Sequence, residues 1–477
     1  MTTRAPQPSA TERPAPTGPP RAGALALAVI VTCQLMVAVD GNVVNIALPR
    51  IQSGLGFSPG GLAWVFSAYS LAFGGLLILG GRAGDLLGRR RMLGLGLLVV
   101  VAASLLGGLA PNAGVLIAAR ALQGVGFAFA APAALSLIAV TFAEGPARTR
   151  ALGAFSTVAG LGITLGLVLG GLLAALSWRL VFFVNVPIGL AAVLLAHRHL
   201  PEAERHPGRP DLPGALASTA GTTALVHGLI HASSAGWAAP ATVASLLLGA
   251  ALLAVFVLLQ ARSARPLVPL RLLARRDRSG AYAVFLLLFA AMGGTYFLLS
   301  LYVQDGLGLS PLAAGPAFLP LAAAQFAAAR SAPKLIPRYG AGPLVVTGAA
   351  LLLASSLWLA TTGPGSGYWG GLFGPLLLLG AGLGLGFVPL NTTVLSGLAP
   401  AETGAASGLL QAVQQVGLSL GVAVLVTVYG RAVHGSAHPV RAELAHGLAT
   451  AVTAAAAFSA LAVLIGLFAV ARPAPRT

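Results

Sequence analysis

The chain has 477 residues, 57% of them hydrophobic and only 8% charged, where a soluble domain carries about 25% charged residues. That composition excludes a water-soluble globule. A formal charge of +17 in a soluble protein would point to nucleic acid, but the placement of the charges here gives another answer. The single cysteine, Cys33, allows no internal disulfide.

Residues 1–21 carry six prolines and no apolar periodicity. They read as a disordered cytoplasmic tail, since they cannot bury enough surface to offset the entropy of ordering. The apolar run that follows reaches Leu48, too long for a signal peptide and interrupted by Asp40, Asn42 and Asn45. It is the first of a series of runs of about 20 residues, each long enough to cross a hydrocarbon layer of about 30 Å as a helix. Further runs near 62–81, 92–110, 113–141, 151–175 and 180–198 complete a six-helix bundle over 22–200. A two-helix insertion over 201–279 follows, with runs near 214–232 and 239–261 and an arginine-rich connector over 262–278. Runs near 280–302, 312–330, 341–360, 369–391, 404–429 and 447–470 form a second six-helix bundle over 280–471, with a short cytoplasmic tail over 472–477. The expected fold class is an all-α integral membrane protein with 14 transmembrane helices, arranged as six plus two plus six.

An even number of spans puts both termini on one side, and the Lys/Arg bias of the short loops says which side. Of the 28 basic residues, 23 fall on the side of the termini, four on the other, and Arg120 lies inside a span. Both ends are therefore expected in the cytoplasm, and the net charge is an orientation signal rather than a nucleic-acid footprint. The 27 arginines against one lysine, with abundant Ala, Leu and Gly, suit a GC-rich coding sequence. The expected location is the plasma (inner) membrane of a bacterium.

Asp40 is the only carboxylate within the predicted spans, where a charge costs about 2.5–3.5 kcal/mol on the mildest scale. Its natural partner is Arg120, the only base within a span. Asp40 lies eight residues before the end of span one and Arg120 nine residues after Pro111, where span four enters the membrane, so the two sit at similar depth, about 12–13 Å from the outer surface at 1.5 Å per residue. The loop after span two, from Gly81 to Arg91, sets Asp85 among four arginines, including Arg89, with Gly88 between them. Such a carboxylate can clamp neighbouring helix ends as a conformational latch. Span five carries Gly162, Gly166 and Gly170 on one face, which lets another backbone approach closely; a partner in the other bundle would make that face part of the mechanism.

Enzyme-like strings fail on context. Gly417 to Gly421 fits a nucleophile elbow, but Ser419 lies inside a continuous apolar span. Ser331 to Lys334 lacks its companion Lys-Thr-Gly, and a Walker A motif is absent, because Lys334 is the only lysine and lies in neither. The pairs His227/His231 and His434/His438 have ligand spacing without a fuller ligand set, so no metal is expected. An enzyme is not indicated.

Together these residues resemble a known family, the fourteen-span drug:proton antiporters of the major facilitator superfamily, of the EmrB/QacA type. The likeness covers nearly the whole chain after the tail. It rests on Val39 to Pro49 in span one, Gly81 to Arg90 after span two, Arg120 to Gly126 in span four, Gly162 to Gly171 in span five, Trp178 to Gly189, and Ala406 to Leu410. The chain departs from the pattern at Asn42 (threonine is usual), Leu86 (a basic residue), Leu167 (proline) and Gln414 (arginine).

The resemblance implies two pseudo-symmetric bundles that rock about a central site, with Asp40 as proton carrier and Arg120 coupled to it. Burial disfavours the charged form of Asp40 and Arg120 favours it; a cationic substrate could compete with the proton there directly, and a neutral one would need indirect coupling. Polar and aromatic candidates for the substrate cavity are Asn45, Gln123, Gln304, Gln411, Gln414 and Gln415, with Tyr296 and Phe297. Gating and helix packing fall to Gly81, Asp85, Gly88, Arg89, Gly162, Gly166 and Gly170. The expected activity is efflux of hydrophobic, in some cases cationic, drugs or antibiotics. The proton gradient would be the energy source, with no cofactor, and small molecules, protons and lipid the partners of a monomer. The alternative is an importer, uniporter or lipid mover of the same fold.

Overall fold

A computed structural model describes residues 20–57, 59–202, 211–263, 266–309, 316–363, 365–399, 402–433 and 441–470. The tails expected at the two ends fall outside these residues, except for the last two positions of the first, as do His434 and His438. In hydrocarbon no water is available to backbone N–H and C=O groups, so long apolar runs close their hydrogen bonds within a helix. The helices are α1 (Pro20–Leu55), α2 (Pro59–Leu87), α3 (Arg89–Gly108), α4 (Ala113–Thr141), α5 (Pro146–Leu176), the short α6 (Leu180–Phe183), α7 (Asn185–His199), α8 (Leu212–Ala235) and α9 (Pro240–Arg262). They continue with the one-turn α10 (Arg271–Ala274), α11 (Arg276–Leu301), α12 (Leu319–Tyr339), α13 (Ala341–Leu359), α14 (Phe373–Leu395), α15 (Thr403–Ala432) and α16 (Arg441–Ile465). π-Helical turns extend α11 over Tyr302–Gly306, precede α14 over Tyr368–Leu372 and extend α16 over Gly466–Val470.

Among the described residues, eleven helices are long and apolar enough to cross a membrane. α5, α8 and α12 have the length, at 31, 24 and 21 residues, but are not among the eleven; α12 carries Arg330, Lys334 and Arg338. The predicted spans also differ from the helices in several places, and α12 ends at Tyr339, nine residues beyond the predicted end at 330. α1 runs seven residues past Leu48 to Leu55, continuing through Pro49 although that residue has no N–H to give the helix. α2 continues to Leu87, so Gly81 and Asp85 stand on a helix rather than in a loop, and the turn contracts to Gly88. Span six is broken at Val184 between α6 and α7.

The helices pack as two groups. In the first, α2 and α3 lie on α4, α1 runs along α5, and α3 meets α7. In the second, α11 lies on α15, both α12 and α13 on α14, and α13 on α16. α8 and α9 pack on each other, and α8 touches both α2 and α15. Helices in lipid gain nothing from hiding apolar surface against one another, so close approach of backbones holds them together. At the α3–α4 crossing, a methyl added at Gly126 would lie 2.6 Å from the Gly96 carbonyl oxygen. The α13–α14 crossing repeats the device, where a methyl at Gly348 would lie 2.7 Å from the Gly382 carbonyl.

The α5 glycine face meets α1 of its own group rather than a helix of the other. A methyl at Gly162 would collide with Ala38, and one at Gly170 would lie 2.9 Å from the Val43 carbonyl. Gly166 is buried on the same face. The contact of α5 with the second group lies nearer its start, where Gly153 faces Ala329 and Pro333 of α12.

Replacing Gly126 by valine forces the α3–α4 crossing apart and lowers stability by about 1–3 kcal/mol. Thermal unfolding of the purified protein in detergent checks this, with Leu98→Ala, on the exposed face of α3, as the neutral control.

Candidate functional site

Asp40, on α1, is fully buried, and the hydrogen-bonded cluster it belongs to draws on four other helices. Its Oδ2 accepts from Arg120 Nη1 of α4 at 2.7 Å. Its Oδ1 accepts from Gln123 Nε2 at 3.1 Å and from Asn185 Nδ2 of α7 at 2.8 Å. Arg120 also donates from Nε to the Val65 carbonyl of α2 at 3.1 Å and from Nη1 to Gln123 Oε1 at 2.8 Å. Its guanidinium carbon lies 4.3 Å from the centre of the Tyr69 ring, a cation–π contact that strengthens as water is removed. Gln123 completes the cluster by donating to Ser104 Oγ of α3 at 2.8 Å.

Local sequence explains the placement. Arg120 and Gln123 are three residues apart on α4 and share a face. Asn185 opens α7 just after the break at Val184, and Pro187 sits in the first turn, where its missing N–H is harmless. Charged groups in hydrocarbon persist when paired and hydrogen-bonded. Both carboxylate oxygens are satisfied from within the first helix group, and Asp40 is sealed from solvent in this conformation. Gln123, named from sequence as a cavity residue, belongs to this cluster. Asn185 stood in a family-like segment without a role, and its signal was an amide at the start of a helix that begins in mid-span.

The second site lies at the end of the molecule that carries most basic loops. Asp85 is buried at the end of α2, and its Oδ1 and Oδ2 accept from the backbone N–H groups of Gly404 and Ala405, both at 3.1 Å. These open α15, so a carboxylate from the first group sits on a helix N-terminus of the second, where the helix dipole favours an anion. Arg89 Nη2 donates to Asp85 Oδ1 at 2.8 Å, and Arg82 lies 4.0 Å away. Gly88, at φ +105°, takes the left-handed region that lets the chain turn from α2 into α3. Gly81 brings the backbones of α2 and α15 together, since a methyl there would lie 2.8 Å from Gly408 Cα.

Other hydrogen bonds between the groups gather at the same end. Ser136 Oγ of α4 lies 3.2 Å from Ser407 Oγ of α15. Asn391 Nδ2 of α14 donates to Ser156 Oγ of α5 at 3.0 Å, and the Gly397 N–H to Glu144 Oε1 at 3.2 Å. The molecule is closed at its basic end.

The remaining sequence candidates are dispersed. Tyr296 stacks on Phe318 at 6.3 Å. Phe297 is half exposed and Gln411 buried; Gln414 and Gln415 are half-buried, and Gln415 lies against Gly74 of α2. The side chains of Asn45 and Gln304 fall outside the described residues. His227 and His231 face hydroxyls of α9, with Nδ1 atoms 3.1 Å from Ser245 Oγ and 2.8 Å from Thr242 Oγ1.

Two outcomes follow from this geometry. Asn185→Ala removes a donor to a buried carboxylate and lowers stability by about 1.5–3 kcal/mol, read from thermal unfolding. Asp85→Ala removes the acceptor of two helix-terminal amides and of Arg89 Nη2 and opens the basic end. In a Cys33→Ser background, Ser136→Cys should then react several-fold faster with a membrane-impermeant maleimide than it does with Asp85 intact.

The chain matches the Major Facilitator Superfamily over residues 30–422. It is 41% identical over 458 residues to the cephamycin export protein CmcT of Amycolatopsis lactamdurans, covering 94% of this chain and 93% of that protein. To the puromycin resistance protein pur8 of Streptomyces alboniger it is 42% identical over 414 residues, covering 84% and 81%. The fold resembles the crystal structure of the human organic anion transporter MFSD10, with a TM-score of 0.64 at 18% identity over 94% of this chain and 100% of that one. With eleven helices long and apolar enough to cross a membrane among the described residues and a match across most of its length, the chain is a multi-pass membrane transporter that belongs to the Major Facilitator Superfamily.

Proposed function

We propose that this transporter exports antibiotic-like hydrophobic small molecules from a bacterial cytoplasm in exchange for protons. The observation that carries the reading is the Asp40–Arg120 ion pair, fully buried at 2.7 Å within the first helix group. An intramembrane ion pair is a weak source of stability and marks a proton or ion path by default. The relatives named for cephamycin export and puromycin resistance support an antibiotic as cargo.

In this reading fourteen helices cross the membrane, counting α5, α8 and α12 with the eleven, and both termini are cytoplasmic. The basic end closed by Asp85 then faces the cytoplasm, and the two groups rock about a midplane site. The proton gradient supplies the energy without a bound cofactor, and the transporter works as a monomer. Because both oxygens of Asp40 are held by Arg120, Gln123 and Asn185, a cationic substrate does not compete for Asp40 directly. Protonation instead neutralises the carboxylate, weakens its hold on α4 and α7, and changes how the first group presents itself to the second.

The test is proton flux in reconstituted vesicles with an internal pH dye, on addition of puromycin, ethidium and a panel of neutral antibiotics. Wild type should show substrate-evoked proton movement and Asp40→Asn should lose it while remaining folded. Substrate movement without a proton signal, unchanged in the variant, sinks the antiport reading and makes the protein a uniporter or lipid mover.

A further inference from the structure

We propose that the α8–α9 pair travels with the second helix group as one body and slides across a glycine surface on α2 each time the transporter changes sides. The inference rests on the rocking of two groups in the reading above, and it concerns helices to which that reading gives no task.

The pair is stiff by itself. α8 and α9 approach through small residues: a methyl at Gly249 would lie 2.7 Å from the Leu225 N, and one at Gly221 3.0 Å from Leu253 Cγ. The contacts of His227 with Ser245 and of His231 with Thr242 add polar rungs between the two helices. Two helices this tightly joined move together or not at all.

The pair is fastened to α15 at both ends. At the far end, Trp237 Nε1, in the turn between α8 and α9, donates to Thr427 Oγ1 at 2.9 Å. Below that bond Leu229 and Ala232 of α8, with Leu225 and Trp237, form an apolar cluster with Val416, Leu420 and Ala423. At the basic end, the connector after α9 buries Leu267, Val268 and Leu272. There Arg271 reaches Glu402, the residue before α15, with Nη2 to Oε1 at 2.6 Å. Gln260 ties that connector to the start of α8, donating to Asp211 Oδ2 at 2.9 Å and accepting from the Val268 N–H at 3.2 Å. Glu402 and Thr427 lie 25 residues apart, about 37 Å along a helix at 1.5 Å per residue. Fastening at two points so far apart prevents the pair from rotating relative to α15.

The contact with α2 is of another kind. It centres on Gly74 and Gly75, where α2 presents bare backbone to Val226 and Thr223 of α8. A methyl at Gly74 would lie 3.6 Å from Val226 Cγ2, and one at Gly75 would overlap the Thr223 hydroxyl. At these two positions the contact is of α8 side-chain atoms on glycine backbone. A contact of this kind is made by packing rather than by directional bonds, which suits the small sliding of packed helices in a shear motion. The bonds to α15, in contrast, would each have to be remade in every cycle if the pair moved with the first group.

The experiment uses the full-length protein in a Cys33→Ser background with two thiol pairs. Gly75→Cys with Thr223→Cys joins α8 to α2; the ideal Cβ at Gly75 is 3.4 Å from Thr223 Cβ, close to the range of a disulfide. Gly74→Cys with Val226→Cys serves if the first pair misfolds. Trp237→Cys with Thr427→Cys, bridged by a short bifunctional thiol reagent, joins the pair to α15. Transport of puromycin or ethidium is measured in the same sample before crosslinking, after it, and after reduction, with and without a proton gradient.

Joining α8 to α2 should cut transport at least about tenfold, reversibly, whereas joining the pair to α15 should leave it within about twofold. Loss on joining to α15, or no loss on joining to α2, overturns the inference. Downhill movement without a gradient separates the two readings: a wild type that shows no proton coupling yet retains this crosslinking pattern refutes the antiport and leaves the sliding pair standing.

Discussion

A carboxylate carried into hydrocarbon must find its donors inside the protein, and the first helix group is organised around that requirement. Asp40 draws Arg120 and Gln123 from α4 and Asn185 from α7; through Arg120 it reaches the Val65 carbonyl of α2, and through Gln123 the Ser104 hydroxyl of α3. Five helices are thereby fixed relative to one another by groups whose separation would strand a charge in a medium without water. A single proton is therefore a strong signal, because it changes the charge at the point where the helices are joined. In the proposed antiport this cluster acts on the substrate from a distance, since Asp40 is sealed from solvent in this conformation.

The contact between the two groups follows a different principle. α2 and α15 meet backbone to backbone at Gly81 and Gly408, and Asp85 closes the junction on the two amides that open α15. The closing contacts gather at one end, with Ser136–Ser407 and Asn391–Ser156 beside the latch. The groups are thus hinged by a few exchangeable hydrogen bonds over small residues, while each group internally is held by crossings such as Gly96–Gly126 that admit no adjustment.

Much of this was legible in the sequence, for reasons that differ by residue. The helical class followed from the length of the apolar runs. The Asp40–Arg120 pairing followed from scarcity, since one acid and one base within the predicted spans leave each other as partner. Asn185 was not legible as part of the site, because an amide in a span is too common to stand out. Gln123 was recognised as polar and buried but given to the cavity, since spacing alone does not say which of several neighbours a helix face meets. For the same reason the glycines of span five were open to a partner in the other bundle, and their partner is α1. Asp85 read as a clamp among arginines, yet its partners on the second group are backbone amides, which no inspection of side chains reveals.

That last feature bears on how the transporter can diverge. An ion pair between side chains is lost when either residue changes, but the α15 half of the junction at Asp85 is made of main-chain N–H groups at Gly404 and Ala405. Any amino acid except proline supplies such a group, so that half survives most point mutations in its chemistry and is constrained only by the space around Gly404. Substitutions that accumulate elsewhere on α15 then leave intact the lock that closes the basic end.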